Sequence, residues 1–270
     1  MRVTVLGTGG SAGVPHIGGA DGFGDWGACD PADPRNRRTR ASVVIEGADG
    51  RRLLVDTSPD MRAQLLAAGI GRVDAIVFTH SHADHILGLD DVRLLNRSSG
   101  TPLDAYGTTE TLEEIARRFD YAFRPWSVEP GQRPLFFRPV LNRHDVTADA
   151  VLDIAGMTVR LFEQDHGFIT SLGLRVGPFA YSTDVVGLDD RAFALLAGVD
   201  TWVVDCFQRR PPHRTHAHFP LVLEWAARVG ARRTILTHMG HDMDFGWVRD
   251  HCPPGVEPGV DGMILEFADP

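Results

Sequence analysis

The sequence predicts a layered α/β fold, with helices on the outside of two packed β-sheets. The chain has 270 residues and a hydrophobic content of 43%, which suffices for one large domain with a substantial core. Short β-type runs dominate the first half and alternate with helical patterns throughout the chain. The sequence contains neither an internal repeat of roughly 20–50 residues nor a low-complexity tract. We therefore predict a single domain over residues 1–270.

The predicted strands are short runs rich in β-branched and aromatic residues, separated by turn residues such as glycine, proline and aspartate. The first run leads into the segment GTGGSAG, whose glycines permit a tight turn. In chain order, strands are predicted at residues 2–6, 42–46, 52–56, 73–79, 135–140, 158–163, 171–176, 179–182, 201–205, 233–237 and 263–267.

Four segments carry apolar residues at helical spacing. These predicted helices are residues 58–69, 109–119, 189–197 and 219–229. In the first of them, Ser58 is predicted to be the N-cap, Pro59 the first helical residue and Gly69 the stop signal.

Composition narrows the classes of function. A formal net charge of −9 makes the chain a poor partner for long nucleic acid or an anionic membrane. No apolar run reaches about 18 residues, so we expect no membrane span. The N-terminus lacks the apolar region of a signal peptide, and the three cysteines are far apart, which fits the reducing cytoplasm. The sequence does not determine the oligomeric state. A homodimer is favoured because two-fold symmetric dimers are the most common oligomers of soluble proteins.

The stretch THSHADH carries the strongest chemical signal. His80, His82, Asp84 and His85 lie within six residues, directly after an apolar run. Residues i and i+2 of an extended backbone point the same way, so His80 and His82 can bind one ion. Asp84 and His85 can then face a second ion, and these ligands suit zinc, manganese or iron. A solvated loop with chance spacing is the alternative, which four ligands at the end of a buried strand disfavour.

Two metal ions need further ligands, and three residues downstream follow predicted β-type segments. His166 lies in FEQDHG, Asp184 in YSTDV and His238 in ILTHMGHD. Each alone could be a hydrogen-bonded polar residue, but the set supplies the missing ligands. A carboxylate such as Asp184 can bridge two cations.

These motifs resemble those of the metallo-β-lactamase-fold hydrolases over essentially the whole chain. The similarity is carried by LGTG, LLVDTSP and THSHADHILGLDD, followed by the three downstream ligands in order. The resemblance implies a four-layer αββα sandwich with a dinuclear site at one sheet edge. It implies one ion on His80, His82 and His166, a second on Asp84, His85 and His238, and Asp184 between them. Asp56 matches an acidic residue of this family that orients the metal ligands without binding the metal. The alternative is that Asp56 interacts only with the dipole of the following helix.

Within this superfamily, LGTGGSAGVP, RRTRAS and THAHFPLVLEW are similar to the cyclic-phosphate phosphodiesterases of phosphonate degradation, near relatives of ribonuclease Z. The resemblance implies a catalytic histidine upstream of the last ligand, and His216 is the best match. A metal-bridging hydroxide would attack phosphorus, with Asp84 in the catalytic centre, while His216 stabilises charge or protonates the leaving alkoxide. His213 and His218 are interpreted as capping the following helix, with His218 also a candidate for supporting the site or binding substrate.

One motif of that branch is incomplete. Its members carry a Cys-x-Cys-x-x-Cys loop that holds a structural zinc with a late histidine. The corresponding loop here, GFGDWGACD, retains Cys29 alone, so we expect no structural zinc. The late histidine, His241, is then free to support the site or contact substrate.

The expected function is a dinuclear phosphodiesterase for small cyclic or linear phosphodiesters, of the cyclic ribose phosphate or nucleotide type, with two zinc or manganese ions. Alternatives are a thioester or lactone hydrolase, ribonuclease Z-like RNA 3′ processing, and a non-catalytic metal- or nucleotide-binding protein. The segment 125–139 lacks the basic run expected of a transfer-RNA-binding arm. Two arginine clusters are interpreted either as a phosphate clamp or as solvated loops: Arg35, Arg37, Arg38 and Arg40, and Arg209, Arg210 and Arg214.

Overall fold

Two mixed β-sheets form the centre of the molecule. The computed structural model describes residues 1–127 and 135–268. Within these residues, the first sheet holds β1 (Arg2–Gly7), β2 (Ser42–Glu46), β3 (Arg52–Val55), β4 (Ala75–Val77), β5 (Leu103–Gly107), β6 (Leu141–Asp145) and β14 (Met263–Glu266), in the order β14-β1-β2-β3-β4-β5-β6. The second holds β7 (Val151–Ile154), β8 (Met157–Asp165), β9 (Thr170–Val176), β10 (Phe179–Ser182), β11 (Thr201–Asp205), β12 (Arg233–Thr237) and β13 (Val256–Pro258), in the order β13-β12-β11-β10-β9-β8-β7.

Each sheet has an antiparallel half and a parallel half. Strands β3 to β6 are parallel to one another in the first sheet, and β10 to β13 in the second. The carboxyl ends of neighbouring parallel strands meet at one edge of a sheet, where open α/β sheets place their ligands. In this chain the residues that follow β3, β4, β10, β11 and β12 meet at such an edge.

Helices cover the outer faces of the sheets. They are α1 (Met61–Ala67), α2 (Ala83–Ile86), α3 (Val92–Ser99), α4 (Thr109–Arg118), α5 (Asp190–Leu196), α6 (Phe219–Val229) and α7 (Phe245–His251). Strand β2 illustrates the layering, because alternate side chains of a strand point to opposite faces. Val43 and Ile45 join the core between the sheets, whereas Val44 packs with Met61 and Leu65 of α1. Trp202 of β11 packs in the same way against the helices of the second sheet. The predicted four-layer α/β architecture is confirmed.

The strand predicted at residues 135–140 is wrong, because these residues form an irregular segment and the strand begins at Leu141. Side chains form hydrogen bonds with the backbone of this segment. Asn96 Oδ1 accepts from the Val140 N–H, and Arg97 Nε donates to the Phe136 carbonyl. Strand β6 exposes polar side chains at the sheet edge, so it lacks an apolar period. Residues 128–134 of the segment that was compared with a transfer-RNA arm lie outside the described residues.

Local differences also occur elsewhere. Helix α1 begins at Met61 with Asp60 at the N-cap, and Ser58 instead donates to Gln64 Oε1 and accepts from the Asp60 N–H. Helices α2, α3 and α7 and strands β5, β7 and β13 were not predicted. Among the described residues, none of the helices has the length and apolar character needed to cross a bilayer.

Candidate metal centre

The candidate site is built from residues that follow the carboxyl ends of strands in both sheets. Three of them adopt a left-handed backbone conformation: Asp56 with φ 65°, Asp184 with φ 53° and His238 with φ 54°. Such φ values are uncommon for residues other than glycine and are strained, and strain of this kind clusters at functional sites. The sharp turns aim the side chains into the space between the two sheet edges.

His80, His82, His166 and Asp184 form the first group of potential ligands, with one ligand atom of each within 4.8 Å of the others. His166 Nε2 lies 3.2 Å from His82 Nδ1 and 3.6 Å from Asp184 Oδ1. His80 Nε2 lies 3.8 Å from the same carboxylate oxygen. Three imidazoles and a carboxylate around one point form a donor set that divalent zinc or manganese accepts.

Asp84, His85 and His238 form the second group, again with Asp184. His85 Nε2 lies 3.2 Å from Asp84 Oδ2 and 3.1 Å from Asp184 Oδ2. His238 Nε2 lies 3.5 Å from Asp84 Oδ2 and 3.4 Å from Asp184 Oδ1. Asp184 therefore belongs to both groups, and the structure brings all seven predicted ligand residues together in the arrangement that the resemblance implied.

Hydrogen bonds behind the ligands fix which ring nitrogen faces the centre. His85 Nδ1 lies 2.7 Å from Asp56 Oδ2, and His166 Nδ1 lies 2.6 Å from the Thr215 carbonyl oxygen. Both oxygens are acceptors, so Nδ1 carries a proton and Nε2 is the nitrogen that faces the other ligands. Asp56 also accepts from the backbone N–H and the hydroxyl of Thr79, each at 2.8 Å. Asp56 thus lies behind the second group, as predicted, and does not serve only the helix dipole.

The buried nitrogens test whether the site suits a metal. The Nε2 atoms of His80, His85 and His238 are buried and have no hydrogen-bond partner among the described residues. A buried polar atom without a partner is costly. An ion in the first group would satisfy His80, and an ion in the second would satisfy His85 and His238. Burial, followed by the neighbouring His85, holds the pKa of His80 well below its ordinary value. His80 is therefore neutral and able to coordinate, and the residues fit two divalent ions.

In the metal-free protein, the positive charge lies on the second group. Burial opposes protonation of His238, but Asp184, Asp84 and Asp205 raise its pKa to about 9. Burial likewise opposes ionisation of Asp184, yet His238, His85 and His80 hold the pKa of this carboxyl well below its ordinary value. The buried Asp184 carboxylate and the His238 imidazolium therefore compensate each other's charge.

Metal affinity should consequently depend on pH. A metal ion binds the neutral imidazole, so at the second group it competes with a proton on His238, below its pKa of about 9, and with a proton on His85. Burial opposes protonation of His85, but Asp184, Asp84 and Asp56 hold its pKa well above the ordinary value. We expect affinity to rise by at least about tenfold per pH unit below the pKa of His238, because each proton that the metal displaces contributes about a factor of ten. Chelator competition at several pH values measures the affinity, and calorimetry in buffers of different ionisation enthalpy measures the protons released. An affinity that is independent of pH across this range would contradict the expectation.

His216 lies beside the two groups and is held by Asp205. Its Nδ1 is 2.9 Å from Asp205 Oδ2, which also accepts from the Val185 N–H at 3.1 Å. The His216 ring centroid is 4.8 Å from that of His238 and 4.9 Å from that of His166. Sequence reasoning missed Asp205, although it ends the predicted strand 201–205, which is the signal that identified the ligands.

Other predicted residues lie away from the two ligand groups. His241 packs on His16 with ring centroids 4.1 Å apart. His218 is the N-cap residue of α6 but makes no side-chain capping bond there. His213 does not cap this helix, which corrects its interpretation, because its ring packs beside those of Phe207 and His216, with centroids 5.2 Å and 5.1 Å away.

The side chains of the first arginine cluster pair with acidic residues, lie over an aromatic ring or are buried. Arg35 pairs with Asp33 at 2.7 Å, and Arg40 pairs with Asp60 at 3.0 Å. The guanidinium of Arg37 lies over Trp26, and Arg38 is buried with a 2.7 Å hydrogen bond to the Met243 carbonyl. In the second cluster, Arg209 lies over Trp247, whereas Arg210 and Arg214 are exposed.

A glycine of the first turn provides the space behind His216. A Cβ atom at Gly10 would lie 2.8 Å from Phe207 Cε2, closer than real Cβ contacts. The Phe207 ring stacks on His216 with centroids 4.8 Å apart. We expect Gly10→Ala to shift this ring and lower the kcat of hydrolysis by roughly 10- to 100-fold, because small displacements of side chains at a reaction centre are costly.

Gly71→Ala is the matched control for this prediction, since a Cβ atom there meets nothing within 4 Å. Steady-state assays and metal analysis of both variants provide the measurement. Equal kcat values for the Gly10→Ala variant and the wild type would show that Phe207 does not position His216.

Comparisons with known proteins were made for the whole chain. The family model described as "Beta-lactamase superfamily domain" matches residues 51–239. A solved structure described as a new diphosphatase from the PhnP family is 34% identical, with a TM-score of 0.86 over 99% of this chain and 98% of that chain.

Two curated relatives are longer than this chain. An octanoyltransferase of Porphyromonas gingivalis is 30% identical over 266 residues, which cover 97% of this chain and 51% of the relative. A ribonuclease Z of Bradyrhizobium sp. is 30% identical over 144 residues, covering 52% of this chain and 44% of the relative. The matched residues therefore span about half the length of each relative.

Proposed function

This chain belongs to the β-lactamase superfamily, and on that premise we propose that it is a dinuclear metal-dependent phosphodiesterase for small cyclic or linear phosphodiesters. The observation that carries the proposal is the Asp205–His216 pair beside two ligand groups that share Asp184. The geometry supplies places for two ions and a separate imidazole for proton transfer. The likeness to a PhnP-family diphosphatase supports reaction at phosphorus.

We propose that each of the two ligand groups binds one metal ion. His80, His82 and His166 would hold one ion, Asp84, His85 and His238 the other, and Asp184 would contact both. Bound zinc or manganese ions would neutralise phosphoryl oxygens and lower the pKa of water. Asp84 is buried, with 8% of its surface exposed, and its carboxylate would accept a proton from the attacking water once bound ions have displaced the protons of the neighbouring histidines.

The remaining proton transfer falls to His216. Because its Nδ1–H donates to Asp205, Nε2 is the nitrogen available to the substrate. Proton donation from Nε2 to the leaving oxygen prevents a free alkoxide from forming as the P–O bond breaks. Asp205 holds the ring in this orientation and stabilises its positive charge before the proton leaves.

We further propose that the substrate is a small molecule and not a long nucleic acid. The chain carries a net charge of −9, which repels a polyanion. Exposed arginines near the site, Arg210 and Arg214, belong to one short loop and do not form an extended basic surface. Gel-shift titration with transfer RNA, at low and moderate salt, tests this part, and tight binding would contradict it.

A second candidate is hydrolysis of an acyl thioester. A relative named octanoyltransferase aligns with 97% of this chain, although the match covers only 51% of that relative. Zinc- and manganese-loaded protein should be assayed with bis-p-nitrophenyl phosphate, a cyclic phosphodiester, a phosphomonoester and an octanoyl thioester. We expect the diesters to have the highest kcat/KM. A higher value for the thioester would replace the proposed function with this second one.

A further inference from the structure

The loop between β11 and α6 carries a second imidazole next to His216. Residues 207–218 contain three arginines and three histidines and no acidic residue. The loop is closed at its base, where the Phe207 N–H donates to the Ala217 carbonyl and the Phe219 N–H to the Gln208 carbonyl. Its conformation therefore follows from backbone contacts that surround the proposed catalytic histidine.

Thr215 fixes the orientation of His213. The Thr215 N–H donates to His213 Nδ1 at 3.3 Å, and the Thr215 hydroxyl lies 3.2 Å from the same nitrogen. An N–H donor requires a lone pair on Nδ1, so in the neutral ring the proton is on Nε2. Burial and the neighbouring His216 lower the pKa of His213, which favours this neutral form. Thr215 also accepts from the proposed metal ligand His166 through its carbonyl, so one residue orients both rings.

His213 lies one imidazole farther from the metal groups than His216 does. Its ring centroid is 5.1 Å from that of His216 and 5.2 Å from that of Phe207. The ring is only partly buried, and Nε2 has no hydrogen-bond partner within the described part of the chain. His213 therefore places an N–H donor in the ring next to His216, the residue that we propose protonates the leaving oxygen.

We infer that His213 is a specificity-determining residue, whose Nε2–H donates to an oxygen atom on the leaving side of the substrate. This inference rests on the proposed phosphodiesterase function. It predicts a preference for leaving groups that are polyhydroxylated or sugar-like over hydrocarbon ones of similar shape. A site that hydrogen-bonds a substrate oxygen discriminates against the analogue that lacks it.

A matched substrate pair tests the inference: the 2,3-cyclic phosphates of methyl riboside and of cis-cyclopentane-1,2-diol. Both are five-membered cyclic diesters, but only the riboside has further oxygens on the leaving side. In metal-loaded protein, His213→Ala should lower kcat/KM for the riboside by about 10- to 100-fold and leave the value for the cyclopentane substrate within about twofold. His213→Gln, which keeps a donor near the position of Nε2, should restore part of the loss.

The outcomes separate this inference from the function on which it rests. An equal loss on both substrates, with unchanged metal content, would show that His213 only supports the loop. No loss on either substrate would show that it does not contact the leaving group. If the wild type hydrolyses neither cyclic diester nor any aryl diester, the proposed function fails and the role of His213 fails with it.

Discussion

Replacing Asp184 with alanine is expected to lower kcat/KM for an aryl phosphodiester by at least about a thousandfold, because positioned metal ions supply most of the charge stabilisation in such a site. Asp184 is the one residue common to both ligand groups. Its oxygens lie 3.1 Å from His85 Nε2, 3.4 Å from His238 Nε2 and 3.6 Å from His166 Nε2. Losing this carboxylate therefore weakens both sites at once.

Metal analysis after dialysis should accompany the assay, and we expect the Asp184→Ala variant to retain fewer than two ions per chain. Asp184→Asn keeps the shape and can keep the contact with Thr183 Oγ1, at 2.6 Å, but removes the charge. We expect it to lose nearly as much activity as the alanine variant. Asp104→Ala is the control, since this carboxylate pairs with His144 on the surface. Undiminished turnover by either Asp184 variant would rule out the shared carboxylate as a metal ligand.

His216→Ala is expected to affect substrates according to their leaving groups. A poor leaving group such as a sugar alkoxide needs a proton, so its kcat should fall by roughly 10²–10⁴-fold. An activated group such as p-nitrophenolate leaves without one, so its kcat should fall far less. Asp205→Asn should show the same selectivity with a smaller loss, because Asp205 acts through His216 and does not touch the substrate.

The metal content of the His216→Ala variant distinguishes a proton-donating role of His216 from a metal-binding role. Asp205, His216 and His238 also form a close group, with His238 Nδ1 3.8 Å from Asp205 Oδ1. If His216 is the proton donor, its alanine variant binds two ions as the wild type does. A variant that loses an ion, and loses activity equally on both kinds of leaving group, would place His216 among the ligands instead.

The seven ligand residues could be predicted from sequence because each follows a β-type run. Such runs can be recognised in the sequence because the side chains on both faces of the strand are buried and apolar, as in the strand before His80. Asp205 carried the same signal at the end of a predicted strand and could have been identified by it.

Other parts of the site and the fold could not be predicted. The contacts of Thr215 with His166 and His213 depend on the path of an irregular loop, which no periodic pattern encodes. Strand β6 was placed too early because its own side chains are polar and exposed at a sheet edge. The left-handed conformations of Asp56 and Asp184 are held by tertiary contacts, and local propensity opposes them.

The most direct test of the central claim is a metal titration of the metal-free protein, with diester hydrolysis measured at each step. The structure provides two ligand groups that share Asp184. We predict that the chain binds two divalent ions and that turnover of bis-p-nitrophenyl phosphate appears as the second site fills. Full activity in protein shown to be metal-free, or saturation of activity with no bound ion, would contradict the account.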